Sequence, residues 1–385
     1  MNNFEDIRPY HDDEVKNVVN KLHKEDELIV GVAKYSYPKL FNISPIITKA
    51  LIRFFFKKKS KSINKVSDFQ KIIGLEFSKI LKKTCGKVTI SGLEKLDKNQ
   101  SYLFIGNHRD IVMDPALVSY LLYKANHNTV EIAIGDNLLN KEYISDLMRL
   151  NKSFIVKRSL SGREKLLSLK KLSSYINYKI KSGDSIWIAQ KEGRAKDGID
   201  YTDPAIIKML QLGVDSKKIK LNETINSLNI IPVSISYELD PCDSMKAEEI
   251  YMKNNNITFI KDKNADQKSI SRGLLNFKGN IHVSFGDKIK TFKEDPKEIA
   301  KEIDKQIINN YLLQAPNYIA YEKLHNRDSS IGPKLHDIEF EVKIKQKDRE
   351  SFNKRISLIQ EDHRPILIKM YANPVINKLN QVNVK

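Results

Sequence analysis

Phe104-Ile105-Gly106-Asn107-His108-Arg109-Asp110-Ile111-Val112-Met113-Asp114-Pro115-Ala116-Leu117-Val118 is the stretch on which the reading of this chain turns. Its opening residues are an apolar β-type run closed by Gly, and its closing residues begin an apolar helical run over 116–124. Between them lies a turn that carries a His and two carboxylates. Open α/β sheets place their sites where strands end and helices begin, so this turn is the first place to look for chemistry.

The same texture extends outward. Short apolar runs recur at 87–92, 102–106, 130–135, 154–156, 185–189, 229–237 and 280–286, with a helical stretch over 162–181 among them. Strands alternating with helices predict an α/β fold with a mixed, largely covered sheet flanked by helices. Residues 1–85 read as a helical N-terminal region, 86–295 as the α/β domain, and 296–385 as a helical C-terminal extension. That extension looks polar and tail-like apart from an apolar patch at 318–321. No internal repeat or low-complexity tract interrupts the chain.

In the N-terminal region, Val15, Val18, Val19 and Leu22 have the spacing of one buried helix face. Ser44-Pro45 marks a helix start, with Ser as cap and Pro in the first turn. The run that follows is apolar, ends in Phe54-Phe55-Phe56, and is closed by Lys57-Lys58-Lys59-Ser60-Lys61. It is too short to span a bilayer. It suits either a headgroup interface or an amphipathic helix packed on its own domain with a solvated basic tail. A further helix is expected over 67–83.

Composition narrows the options. Of 385 residues, 41% are hydrophobic and 30% charged, which is globular rather than disordered or fibrous. Lys and Arg number 66 against 48 acidic residues, a net charge of +18 that suits an anionic partner such as a membrane surface, a phosphorylated substrate or nucleic acid. The Lys-rich tracts at 57–61 and 341–348 lack interleaved aromatics and any recognised nucleic-acid module, so a solvated or membrane-facing role and no nucleic-acid partner are expected. A non-enzymatic basic nucleic-acid-binding or membrane scaffold protein is the alternative reading. Two cysteines, Cys85 and Cys242, form neither a disulfide framework nor a metal module and fit a reducing compartment. His127 and His325 have no partners at metal-ligand spacing. The polar, acidic first residues and the lack of a long apolar run lead to the expectation of a cytosolic chain, or one bound to a membrane from the cytosolic side.

The residues themselves suggest a base. A His beside an Asp can be held in one tautomer, and its imidazolium can be stabilised as it forms. No Ser or Cys stands in a nucleophile elbow, so a hydrolase triad is not indicated, and the His would instead deprotonate a hydroxyl of the substrate. The plainer reading is a structural His at a strand end. Asp110 and Asp114 compete as its partner. Asp114 precedes Pro115 and could equally serve as a helix cap whose carboxylate is taken up by backbone N–H groups.

Asn107-His108 with Asp114-Pro115-Ala116 resembles the first motif of the glycerolipid acyltransferases, a His and an Asp with four residues between. Three further blocks follow in that family's order. Phe154-Ile155-Val156-Lys157-Arg158 resembles the second motif, Trp187-Ile188-Ala189-Gln190-Lys191-Glu192-Gly193-Arg194 the third, and Ile231-Pro232-Val233-Ser234 the fourth. Gly135-Asp136-Asn137-Leu138-Leu139 is similar to a segment of the soluble plant-type glycerol-3-phosphate acyltransferases. The chain departs from the pattern in two places: five residues separate His108 from Asp114, and Arg194 follows Gly193 directly.

The resemblance implies a glycerol-3-phosphate acyltransferase-like fold and an O-acyltransferase acting in phospholipid biosynthesis, peripheral on the inner face of a bacterial membrane. It implies acyl-CoA or acyl-carrier protein as donor and lysophosphatidate or glycerol-3-phosphate as acceptor, with no cofactor and no metal. By the same resemblance His108 is the base, oriented by Asp114, in preference to Asp110. Lys157, Arg158 and Arg194 would hold the acceptor phosphate, and Glu192 and Gly193 would shape the pocket. Read without it, Lys157-Arg158-Ser159 is a solvated basic turn, and Glu192-Gly193-Arg194 a turn whose Gly permits close backbone approach. Trp187 reads as core, and Ser161-Gly162-Arg163 as the start of a helix.

Overall fold

The computed structural model describes residues 4–257, 265–325 and 344–382. Its seven strands, in chain order, are β1 (Val88–Ser91), β2 (Leu103–Gly106), β3 (Glu131–Gly135), β4 (Ser153–Val156), β5 (Ile186–Ala189), β6 (Ile230–Tyr237) and β7 (Ile281–Phe285). All seven lie where the apolar runs predict them. The chain packs as two compact units interleaved in sequence, Met1–Ser78 with Glu131–Ser168, and Lys79–Val130 with Leu169–Lys385.

In the larger unit the strand order is β1-β7-β6-β2-β5. β7 runs antiparallel to β6, while β1 with β7, β6 with β2, and β2 with β5 pair in parallel, so the sheet is mixed. All four residues of β2 and all eight of β6 are buried, as the near-continuous apolar runs of covered parallel strands require. The register sets Gly106 opposite Ala189 on one side and Val233 on the other. Phe104 meets Phe285 edge to face at 5.6 Å, and burying each such ring contributes about 2–3 kcal/mol.

The C-terminal extension is helical as expected but not a tail. Tyr311, Leu313, Tyr318, Ile319, Phe352, Leu367, Tyr371 and Val375 form a buried core of their own within the larger unit. The aromatics are spread thinly over separate helices of a polar sequence, and the packing of those helices brings them together. Of the Lys-rich tract at 341–348, residues 341–343 lie outside the described residues.

In the smaller unit, β3 and β4 pair in parallel, and Ile155 on β4 donates its N–H to the Ile7 carbonyl at 2.8 Å. The helix Asp12–Leu22 buries Val15, Val18, Val19 and Leu22 against Ile63, Val66, Phe69 and Leu150. The helix Pro45–Ser60 starts where Ser44-Pro45 predicts, although the Ser44 side chain makes no capping bond. Its Ile52 packs with Ile29 and Ala33, while Ile46, Ile47, Phe54 and Phe55 stay exposed beside exposed Lys57, Lys58 and Lys59. No helix among the described residues is long and apolar enough to cross a membrane.

Candidate active site

The turn after β2 is built by side chains that replace missing strand pairing. β2 ends at Gly106, but the Asn107 carboxamide continues the ladder: its Oδ1 accepts from Ile235 N at 2.7 Å and its Nδ2 donates to the Ile235 carbonyl at 3.1 Å. On the other side, Gln190 N donates to the Gly106 carbonyl at 2.9 Å and Ala195 N to the His108 carbonyl at 2.7 Å. His108 is thereby fixed between β6 and the loop after β5. Gly106 has a steric role here, because a Cβ at that position would lie 3.0 Å from Trp187 Nε1. With no side chain in the way, the Trp187 indole packs edge-on to the His108 ring at 5.7 Å. Trp187 is buried as predicted, and it also orients the imidazole.

His108 and Asp114 come together. His108 Nδ1 lies 2.9 Å from Asp114 Oδ2; the Asp114 side chain is fully buried and that of His108 is 14% exposed. Asp114 Oδ2 also accepts the backbone N–H groups of Arg109 at 2.6 Å and Asp110 at 2.8 Å, and Oδ1 accepts the Tyr237 hydroxyl at 2.6 Å. Four donors around two oxygens form the surroundings a buried carboxylate needs. With that acceptor opposite, Nδ1 carries the ring proton and Nε2 keeps its lone pair.

The helix after the turn is Met113–Lys124, so Asp114 and Pro115 fall inside its first turn, not at cap and first position. Asp110 does the capping instead: its Oδ1 accepts from Val112 N at 3.0 Å and Met113 N at 2.9 Å. The two carboxylates thus divide the roles that sequence left open between them. Burial pushes the Asp110 carboxyl above its ordinary range, and the neighbouring charge of Asp114 adds to the shift. The fifth intervening residue is absorbed by this turn, in which Asp114 folds back over the N–H groups of 109 and 110.

Arg109 points away from His108 into an internal ion pair with Asp200, and also donates to the Gly198 carbonyl at 3.2 Å. Burial opposes its charge, and Asp200 more than compensates. Lys246, almost fully buried, donates to the Arg109 carbonyl at 2.8 Å and pairs with Asp240. Arg109, Asp200, Tyr237 and Lys246 are supports that sequence reading did not single out, and Asn107, read there only as part of the first motif, is another. Asn107 and Arg109 were at least flanking His108, whereas the others act across the fold.

The third block runs from β5 into an irregular loop. Glu192 and Gly193 are exposed, and Gly193 has φ +76° with open space where a Cβ would stand. A left-handed backbone, not close approach, is the reason for Gly there. Arg194 donates through Nη1 to Ser269 Oγ on the helix Ala265–Leu275. In the second block, which belongs to the smaller unit, Lys157 pairs with Asp6 at 2.6 Å, and Arg158 N donates to Asp136 Oδ1 at 3.0 Å. The Arg158 side chain runs beside Gly135, where an added Cβ would fall 2.9 Å from Nε.

Several known proteins are similar to parts of this chain. The family model described as Acyltransferase matches residues 87–236. A dihydroxyacetone phosphate acyltransferase of Bos taurus is 23% identical over 281 residues, covering 72% of this chain and 37% of that protein. The Mus musculus protein of the same name is 24% identical over 217 residues, 55% of this chain and 30% of its own length. The chain therefore spans about a third of the length of the curated relatives it matches. The crystal structure of the 1-acyl-sn-glycerophosphate (LPA) acyltransferase PlsC from Thermotoga maritima aligns with a TM-score of 0.38 and 14% identity, over 74% of this chain and 94% of that one. The matched block contains β2 and its turn, the Lys157-Arg158 and Glu192-Gly193-Arg194 segments, and nearly all of β6. Residues 87–236 thus carry the match to the acyltransferase family model, and the curated relatives support a family of glycerolipid acyltransferase type.

Proposed function

We propose that the protein transfers a fatty acyl group from a thioester, acyl-CoA or acyl-carrier protein, to the hydroxyl of a small phosphorylated glycerol-type acceptor. The observation that carries this reading is the His108 Nδ1–Asp114 contact of 2.9 Å at the C-terminal end of a central strand, inside the segment matched by the acyltransferase model. His108 Nε2 takes the proton of the acceptor hydroxyl as its oxygen attacks the thioester carbonyl. Asp114 stabilises the imidazolium, which then returns the proton to the departing thiol. No metal or cofactor has a role in this chemistry. Holding the acceptor at the base supplies much of the acceleration, in favourable cases about 7–11 kcal/mol.

Arg158, Lys157 and Arg194 are the cations proposed to hold the acceptor phosphate. Arg194 would exchange its bond to the Ser269 hydroxyl for a stronger one to phosphate, and Lys157 its pair with Asp6. Glu192 and Gly193, on the same loop as Arg194, would shape the acceptor pocket. Lysophosphatidate and glycerol-3-phosphate are the proposed acceptors, and the relatives named above add dihydroxyacetone phosphate as a third of the same class.

The exposed Ile46, Ile47, Phe54 and Phe55 with Lys57, Lys58 and Lys59 are proposed to dock the smaller unit on an anionic membrane from the cytosolic side. A thiol-release assay with purified protein, both donor types and the three acceptors tests the reading. Phosphate-dependent thiol release with at least one acceptor is the expected result. Release that is indifferent to the acceptor, or none with any pair, would overturn it.

A further inference from the structure

Tyr237 ends β6, far from His108 in sequence, and lies on the same face of the sheet as Val233, which pairs with Gly106. β6 is eight residues long where β2 has four, and the overhang carries Tyr237 past the strand end to the turn. There its hydroxyl donates to Asp114 Oδ1 at 2.6 Å, opposite the oxygen that faces His108. The ring is buried, at 4% exposed. Burial and the adjacent Asp114 charge hold the phenol well above its ordinary range, so it remains a donor at every working pH.

We propose that Tyr237 is a positioning residue of this site: its hydroxyl pins the Asp114 carboxylate so that Oδ2 presents to His108 Nδ1, and draws charge toward the far oxygen. This rests on the reading of His108 as the base. Two backbone N–H groups already share Oδ2 with His108, so only Tyr237 Oη opposes rotation of the carboxylate from the Oδ1 side among the described contacts. Without it the carboxylate is freer to turn and more electron-rich. The imidazole is then less well aimed and binds its second proton more tightly. Both effects act on the rate and neither on acceptor binding.

The test is Tyr237→Phe, which keeps the ring and removes the hydroxyl. The expected result is a roughly tenfold fall in kcat with the acceptor KM within about twofold, since a hydrogen bond to a charged group is lost. The acid limb of the kcat/KM profile should move up by a few tenths of a pH unit. In an Asp114→Asn background the same substitution should have no further effect. Imidazole NMR titration of His108, assigned with His108→Gln, should show the same upward movement without any reference to turnover. An unchanged midpoint in folded Tyr237→Phe overturns the proposal. If that variant does not fold, fluorotyrosine at 237 keeps the shape and strengthens the donor, and the midpoint should move down; no movement overturns the proposal. Should wild type transfer no acyl group, the functional reading falls while the titration still decides the role of Tyr237.

Discussion

Lys246→Met isolates the buried cation that holds the His108 turn from behind. Lys246 is 2% exposed, pairs with Asp240 and donates to the Arg109 carbonyl at 2.8 Å. Methionine keeps the length and the apolar stem while removing the charge. Breaking a buried ion pair on one side costs about 3–5 kcal/mol. The Asp240 side chain is 15% exposed and also accepts from Cys242 N, which places the loss near the low end, about 3 kcal/mol. At roughly 2 °C per kcal/mol for a unit of this size, Tm should fall by about 6 °C at neutral pH.

The pH dependence of Lys246→Met has a definite sign. Burial pushes Asp240 up, but Lys246 outweighs it and the carboxyl sits below its ordinary value. Its contribution in wild type is therefore present above the unfolded carboxylate pKa and lost as pH falls through the folded one. Without Lys246 the Asp240 carboxyl moves up, so the variant's deficit is largest near pH 7.5 and narrows as pH drops through the carboxylate range. Thermal unfolding followed by circular dichroism at pH 7.5 and 4.5 measures both. A Tm within about 1 °C of wild type at pH 7.5, or a deficit that widens on acidification, would refute the reasoning.

Gly198 and Gly193 both have positive φ, yet Ala should be tolerated only at the second. A Cβ at Gly198 would lie 2.1 Å from the Met370 carbonyl oxygen, while at Gly193 it meets open space. Chemical denaturation should give about 1 kcal/mol for Gly193→Ala, the cost of backbone strain alone, and at least twice that for Gly198→Ala. Burial raises the Asp304 carboxyl to about 6. Ionised Asp304 therefore opposes folding at neutral pH, and the penalty is relieved as pH falls below that value. Asp304→Asn, which can still accept from Thr202 N at 2.7 Å, should stabilise by about 1–2 kcal/mol at pH 7.5 after allowance for solvent access. In the same denaturation assay that gain should shrink to about a third by pH 4.5 and vanish only below the unfolded carboxylate pKa. Asn107→Ala leaves the Ile235 N–H and carbonyl without their side-chain partner, and should cost about 2–3 kcal/mol together with most of the transfer activity.

The strands were legible because a covered sheet demands unbroken apolar runs, and 102–106 and 229–237 stand out against a polar chain. The His108 turn was legible as a strand end for the same reason. Which acid faces the imidazole was not, since Asp110 and Asp114 differ only in how the backbone of the turn folds under them. Tyr237 was invisible because nothing in a strand terminus announces a partner 123 positions earlier. Lys246 reads as an ordinary helix cation until Asp240 and the Arg109 carbonyl close around it. Tyr318, Phe352 and Tyr371 are too widely spaced in a polar region for their shared core to be read from periodicity. Arg194 was recognised by its block, but its contact with Ser269 depends on a helix 75 residues on.

Acyl transfer by His108→Ala beside wild type, with equal Tm and the donor and acceptor that support turnover, probes the core of the account most directly. The account predicts a loss of at least about a hundredfold in kcat, the lower range for a general base. Turnover within a few-fold of wild type in that folded variant would contradict it.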